Sequence, residues 1–243
     1  MVATVLVFSG LDPSGGAGMA ADILAIAAQG AHALPVITAL TVQDNNRVHE
    51  VAPVDAAVLT RQASLLAQSV RIDAVKLGIP GNRANAEAIA AIIAQLRARQ
   101  PGLPVVLDPV LASGHGDALA RGNALDALAP LLALATVVAP NLGEAAALGS
   151  ISCPHVLVTG GHGEGAEVVN VWHGPDGQRS WRWPRLPGAF HGSGCTLAAA
   201  IAARLVLGEP MATALERAQA YTHQALAASF EIAAGQRIPQ RYF

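Results

Sequence analysis

The sequence predicts an α/β fold with a mostly parallel central sheet. Short β-prone apolar runs alternate with Ala-rich runs of helical length along the chain. Such alternation means βαβ units with right-handed crossovers. No repeat, low-complexity tail or linker interrupts it, so residues 1–243 read as one domain.

The elements follow in order. Thr4–Phe8 is a first strand, running into Gly-rich sequence. Ala17–Gln29 reads as a helix and Ala33–Leu40 as a strand rich in Val, Ile and Thr. Asp55–Ser69 is helical, with Val58, Leu59, Leu65 and Leu66 marking its apolar face. Asp73–Leu77 is a strand, and Asn85–Arg99 a helix closed by Gln100-Pro101-Gly102. Val105–Leu107 is a strand followed by Asp108-Pro109. Leu125–Leu134 reads as helical, with Pro130 expected to kink or divide it. Thr136–Val138 and His155–Thr159 are strands. Val168–Trp172 and Arg179–Trp183 form a hairpin across Pro175-Asp176-Gly177. Its Trp181 and Trp183 share one face, which reads as core or interface packing. Ser193–Leu207 and Met211–Phe230 close the chain as helices.

Composition excludes several classes. Fifteen basic and seventeen acidic residues leave a net charge of −2, so no basic field exists for nucleic acid or an anionic membrane surface. Charged residues are 13%, against about 25% on average, and 52% are hydrophobic, which rules out disorder. The stretch Ile23–Gln43 lacks Asp, Glu, Lys and Arg and has membrane-spanning length. Gln29-Gly30 and Pro35 make it a helix breaking into a strand instead. Cys153 and Cys195 match neither a disulfide framework nor a metal spacing. The start of the chain has no charged n-region, so a cytoplasmic protein is expected.

Ligands of open α/β sheets sit at the carboxyl ends of the strands, so the residues there carry the functional argument. After the first strand comes Ser9-Gly10-Leu11-Asp12-Pro13-Ser14-Gly15-Gly16-Ala17-Gly18. It offers close backbone approach and a helix N-terminus, but is neither a Walker A loop nor a dinucleotide fingerprint. Alternatively it is a loose glycine turn. Gln43 follows the second strand, with a planar amide suited to an aminated heterocycle; the alternative is polar filler in a turn. Asp108, Asn141 and Glu144 stand after neighbouring strands and could hold a hydrated Mg²⁺. Helix capping and a first-turn charge are the alternatives for them. His191-Gly192-Ser193-Gly194-Cys195-Thr196 opens an Ala-rich helix and presents backbone N–H groups to one point, as an anion hole does. Cys195 falls in the first turn, where the helix dipole is expected to lower a thiol pKa; the alternative is a glycine-opened helix with a buried Cys.

Seven ordered segments together carry a family resemblance. They are Asp12-Pro-Ser-Gly-Gly-Ala-Gly18 with Ala21-Asp22, Val36-Ile-Thr-Ala-Leu-Thr-Val-Gln43, Asp73-Ala-Val-Lys-Leu-Gly78, Val105-Val-Leu-Asp-Pro-Val110, Pro140-Asn-Leu-Gly-Glu144, Gly160-Gly-His162 and His191-Gly-Ser-Gly-Cys-Thr196. Across nearly its whole length the chain resembles the hydroxymethylpyrimidine/phosphomethylpyrimidine kinases of thiamine biosynthesis, within the ribokinase-like fold. The resemblance implies a three-layer α/β/α domain, ATP as co-substrate, Mg²⁺ and a homodimer. It implies pyrimidine binding by Gln43, Gly10, Asp22 and the neighbourhood of Ile79. It ties Asp108, Asn141 and Glu144 to Mg²⁺ and phosphate. It makes Gly192, Ser193 and Gly194 the anion hole, with Cys195 in the catalytic position, where sugar and pyridoxal kinases of this fold carry Asp. It places Thr159 and Gly161 at the nucleotide.

The chain departs from the family pattern in places. Thr159 stands where the family has Lys before Gly-Gly-His, and Ala189-Phe190 where it often has Asn-Thr. Gly18-Met-Ala-Ala-Asp22 replaces Gly-Ile-Gln-Ala-Asp. The segment from Glu144 to His155 is short, and a crossover helix is expected to be missing there. The family phosphorylates a hydroxymethyl group and then the resulting monophosphate. Rival readings are a kinase of the second step alone, a pyridoxal or sugar kinase, a non-catalytic pyrimidine binder, and a hydrolase with Cys195 as nucleophile.

Overall fold

The structure is a computed structural model; it describes residues 1–113, 116–117, 119–120 and 122–243. Its centre is a nine-stranded sheet in the order β3-β2-β1-β4-β5-β6-β7-β8-β9. The strands are β1 (Thr4–Leu11), β2 (His32–Gln43), β3 (Val48–Pro53), β4 (Ala74–Leu77), β5 (Val105–Leu107), β6 (Val137–Val138), β7 (His155–Val158), β8 (Glu167–Gly174) and β9 (Gly177–Pro184). The helices are α1 (Gly18–Ala28), α2 (Ala56–Ser69), α3 (Arg83–Arg99), α4 (Ala124–Leu132), α5 (Leu142–Leu148), α6 (Ser193–Val206) and α7 (Met211–Ala227). The six strands β2, β1, β4, β5, β6 and β7 pair in parallel. Antiparallel strands flank them: β3 on one side, β8 and β9 on the other.

Alternate residues of a strand face opposite sides of a sheet, and β1 shows it. Val5 and Val7 pack with α1, α6 and α7 in one apolar cluster. Leu6 and Phe8 pack with α2, α3 and α4 in the other. The result is the expected three-layer α/β/α arrangement. The apolar run Ile23–Gln43 divides as expected, with α1 ending before Gly30 at φ +85° and β2 starting at His32. No helix among the described residues is long and apolar enough to cross a membrane.

Two local readings change. β2 continues to Gln43 and turns back as β3 through Asp44–Arg47, where the Asp44 carboxylate accepts from the Asn46 and Arg47 N–H groups. Pro130 neither kinks nor divides α4, since it sits in the last turn and the helix ends at Leu132. The carbonyl that a residue at 130 would have bonded, that of Asp126, accepts instead from the Arg83 guanidinium at 3.3 Å. The crossover from β6 to β7 holds one short helix, α5. The hairpin tryptophans are packing residues. Trp181 lies in the apolar cluster beneath α7, Trp172 stacks on it at 6.4 Å, and Trp183 stacks on His223 of α7 at 5.5 Å.

Candidate active site

The carboxyl ends of the parallel strands bring the two glycine-rich segments together. After β1 the chain wraps around the Asp12 carboxylate, which accepts from the N–H of Ser14 and of Ala17 and from the Ser14 hydroxyl, each at 2.8 Å. The same carboxylate meets His191 Nε2 at 2.8 Å. Burial alone would raise the Asp12 carboxyl, but the bonds from His191 and Ser14 outweigh it and hold it low. Backbone contact here requires glycine. A Cβ on Gly16 would lie 2.3 Å from the His191 ring, and one on Gly192, at φ +79°, would lie 2.2 Å from the Gly16 carbonyl oxygen. The imidazole's hydrogen bond goes to Asp12, and among the described residues none joins it to Cys195.

Beneath these loops lies a buried charged cluster. Lys76 Nζ bonds Asp22 Oδ2 at 2.8 Å, and neither side chain has any exposure. Burial disfavours an ammonium, but Asp22, Cys195 and Asp108 surround this one and keep it protonated. Asp108, just after β5, is buried with no partner on Oδ2. Burial pushes its carboxyl up to about 6. A Cβ on Gly194 would stand 3.4 Å from both Asp108 oxygens, so the first turn of α6 faces this carboxylate. Cys195 does not follow the dipole expectation. Although the residue is only half-buried, desolvation pushes its thiol up to about 12, and the neighbouring carboxylates Asp108 and Asp22 add to that against Lys76. A dipole acts over one turn and is worth at most a few kcal/mol; burial beside two carboxylates outweighs it.

At the end of β1, Gly10 and Ile79 are in contact, since a Cβ on Gly10 would lie 2.7 Å from Ile79 Cδ1. Gln43 closes β2 partly exposed, and among the described residues its amide has no hydrogen-bond partner. Asp22 is set back and fully buried, paired with Lys76 and close to Ser9. After β6, Asn141 and Glu144 form a capping box on α5. Asn141 Oδ1 accepts from the Glu144 N–H at 2.9 Å, and Glu144 Oε2 from the Asn141 N–H at 2.8 Å. Burial and the Asp108 charge push the Glu144 carboxyl up to about 7. Thr159 follows β7 and bridges to Asn141, its N–H bonding the Pro140 carbonyl at 2.8 Å. Gly161 has its carbonyl held by Arg185.

A divalent cation fits this arrangement. Asp108 has a buried unpartnered oxygen, and Glu144 lies close enough that the Asp108 charge raises its proton affinity. Among the described residues no three His, Cys, Asp or Glu side chains are grouped to hold a metal by themselves. Phosphates and water would complete such a site, as Mg²⁺ prefers. Asn141 spends its oxygen on the cap and serves here as the support of Glu144.

Sequence reasoning missed four residues. Lys76 was legible: a charged residue inside the apolar run of a central strand needs a buried partner. Asp12 appeared only as part of a motif. Arg185 and Arg241 carry no sequence signal; each is placed by the tertiary fold. Arg185 donates to the carbonyls of Gly160, Gly161, Gly165 and Glu167, and so shapes the loop after β7.

Comparison with known proteins identifies the family. A family profile described as phosphomethylpyrimidine kinase matches residues 12–153 and 147–240, the two matches meeting in the β6–β7 crossover. A hydroxymethylpyrimidine/phosphomethylpyrimidine kinase of Rhizobium meliloti is 38% identical, over 100% of this chain and 98% of its own length. One of Streptomyces coelicolor is 32% identical, over 95% and 91%. Among solved structures, a Clostridium difficile phosphomethylpyrimidine kinase superposes with a TM-score of 0.78 at 26% identity, covering 93% of this chain and 99% of that one. An ADP complex of Bacillus subtilis pyridoxal kinase has a TM-score of 0.87 at 24% identity, covering 99% and 98%, which speaks for the ribokinase-like fold. The family profile, the near full-length similarity and the shared fold converge on one conclusion: this chain belongs to the phosphomethylpyrimidine kinase family.

Proposed function

We propose that this chain transfers the γ-phosphoryl group of ATP to hydroxymethylpyrimidine phosphate, giving the diphosphate, and also phosphorylates hydroxymethylpyrimidine, in thiamine biosynthesis. The observation that carries the reading is the first turn of α6. Gly192, Ser193 and Gly194 open it beside a buried carboxylate, with the second glycine-rich segment packed against it. Backbone N–H groups there would gather the charge of the transferring phosphoryl group. Gly10, Ile79 and the free amide of Gln43 would receive the pyrimidine, with Asp22 acting from behind through Lys76. Thr159 and Gly161 would line the nucleotide. Asp108 and Glu144 would hold Mg²⁺, which when bound would offset the repulsion between phosphate charges.

The hydroxymethyl group must lose its proton to be phosphorylated. Cys195 is the nearest group in the family's catalytic position, but its thiol is protonated at neutral pH. It can take the hydroxymethyl proton only while giving up its own. The Asp108 carboxylate, to which the thiol is hydrogen-bonded, is the acceptor at hand. The monophosphate is already ionised and needs no such relay. The protonated thiol therefore favours, as a second reading, a kinase of the second step alone. A homodimer in the cytoplasm completes the proposal, and sedimentation of the purified chain tests the dimer.

ADP release in ATP and Mg²⁺ separates the readings, with hydroxymethylpyrimidine, its monophosphate or pyridoxal as acceptor. Turnover of both pyrimidines supports the two-step kinase. Turnover of the monophosphate alone supports the second reading. Preference for pyridoxal, or silence with every acceptor, would overturn both.

A further inference from the structure

Arg241 is the bulkiest of the fully buried side chains, and it lies against the site rather than in the apolar layers. Its Nε donates to Thr196 Oγ1 at 2.9 Å. Its Nη2 donates to the Gly16 carbonyl and reaches those of His191 and Gly192 at 3.5 Å. All these acceptors are neutral. Among the described residues no carboxylate lies within salt-bridge distance of the guanidinium; the ionisable groups that face it are Cys195, Tyr221, Asp22 and Asp12. Burying a cation without a paired carboxylate is costly. A fold that keeps one beside an anion hole gains by it when an anion arrives.

The peptide geometry gives the cation a second effect. In a trans peptide the C=O and the following N–H point in opposite directions. Drawing the His191 and Gly192 carbonyls toward Arg241 turns the N–H groups of Gly192 and Ser193 away from it, at the opening of α6 where unpaired N–H groups gather. The tail that carries Arg241 is itself fastened to both sides of the site. Arg237 exchanges backbone bonds with Ala189 and His191, and Asn45 and Asn46, just past Gln43, bond the backbone of Ala234 and Gln236. The Tyr221 hydroxyl holds the Arg241 carbonyl at 2.7 Å.

We propose that Arg241 is a positioning residue for phosphoryl transfer: it sets the peptide planes of the α6 anion hole and places a permanent positive charge behind them. This rests on the kinase reading above. Removing one donor of such a hole costs on the order of 10²-fold in kcat. Arg241→Ala is therefore expected to lower kcat by about that factor with both pyrimidines, while pyrimidine KM stays within about threefold. Arg241→Lys is expected to fall between the two. Added guanidinium ion, at concentrations well below denaturing, is expected to restore kcat in Arg241→Ala, and urea, its neutral near-isostere, is not. Should Arg241→Ala fail to fold, Thr196→Val removes the Nε acceptor, and with it the hydroxyl's own bond to the Gly192 carbonyl, and is expected to lower kcat with pyrimidine KM unchanged. Three results overturn the inference: kcat within threefold of wild type in the variant that folds, equal rescue by urea, or no rescue together with a Lys variant as slow as Ala. Silence of the wild type with either pyrimidine overturns the kinase reading, and this inference with it; an active wild type with an equally active Arg241→Ala overturns this inference alone.

Discussion

Replacing Lys76 with Met removes the only lysine of the chain from the centre of its sheet. Lys76 Nζ and Asp22 Oδ2 are 2.8 Å apart, and both side chains are 0% exposed. At an effective dielectric constant near 20, that separation corresponds to roughly 6 kcal/mol of attraction. Desolvation offsets much of it in the intact pair, but truncating one partner leaves the other buried and unmatched, at about 3–5 kcal/mol. Asp22 Oδ1 already lacks a partner, so Lys76→Met would leave the carboxylate with little to hold its charge. Burial already raises that carboxyl in the intact pair, and without the ammonium it would rise further. A carboxyl whose folded pKa exceeds its unfolded value loses stability as pH rises, so the variant should be more impaired at pH 8 than at pH 5. Urea unfolding at both pH values checks this. Lys76→Met with Asp22→Asn should recover at least about 2 kcal/mol relative to the sum of the single variants. A loss below about 1 kcal/mol for Lys76→Met, or additive losses in the double variant, would refute the reasoning.

Other expectations follow from the same geometry. Cys195→Ala should lower phosphorylation of the hydroxymethyl group by about 10²-fold or more, and of the monophosphate far less; steady-state rates with each acceptor decide it, and equal losses would contradict the proton relay. Arg185→Ala frees four carbonyls of the loop after β7 and should raise the KM for ATP about tenfold, near 1.4 kcal/mol, without changing pyrimidine affinity; a matching loss of pyrimidine affinity would place its effect elsewhere. In metal-free protein, Asp108 and Glu144 hold their protons up to about 6 and about 7. Their contribution to stability is full below about pH 4, where the unfolded carboxyls are also protonated, and is lost as pH rises through the folded values. Asp108→Asn should flatten that decline in chelator-treated samples, and a slope as steep as wild type would argue against it. Mg²⁺ with nucleotide should raise the melting temperature more at pH 8 than at pH 5 if the cation relieves this pair.

The layout of the fold was legible because hydrophobic periodicity is a local property. Strand and helix runs appear in the sequence wherever one face must be buried, and alternating βα order implies the parallel sheet and the end at which ligands gather. The glycine-rich segments, Gln43, Asp108, the Asn141–Glu144 pair and Cys195 were found by looking after each strand. What stayed hidden depended on partners distant in the chain. β3 was missed because a six-residue strand pairs only once β2 runs on to Gln43. Pro130 sits inside α4 because Arg83, on another helix, bonds the carbonyl that Pro130 leaves free. The ionisation of Cys195 reversed because a helix dipole can be read from sequence, but burial beside Asp108 and Asp22 cannot. By itself the sequence determined which strand ends carry chemistry and in what order. Only the tertiary structure decided that Lys76, Asp12 and Arg241 stand behind that chemistry, because an electrostatic environment is a sum over neighbours that the chain brings together only on folding.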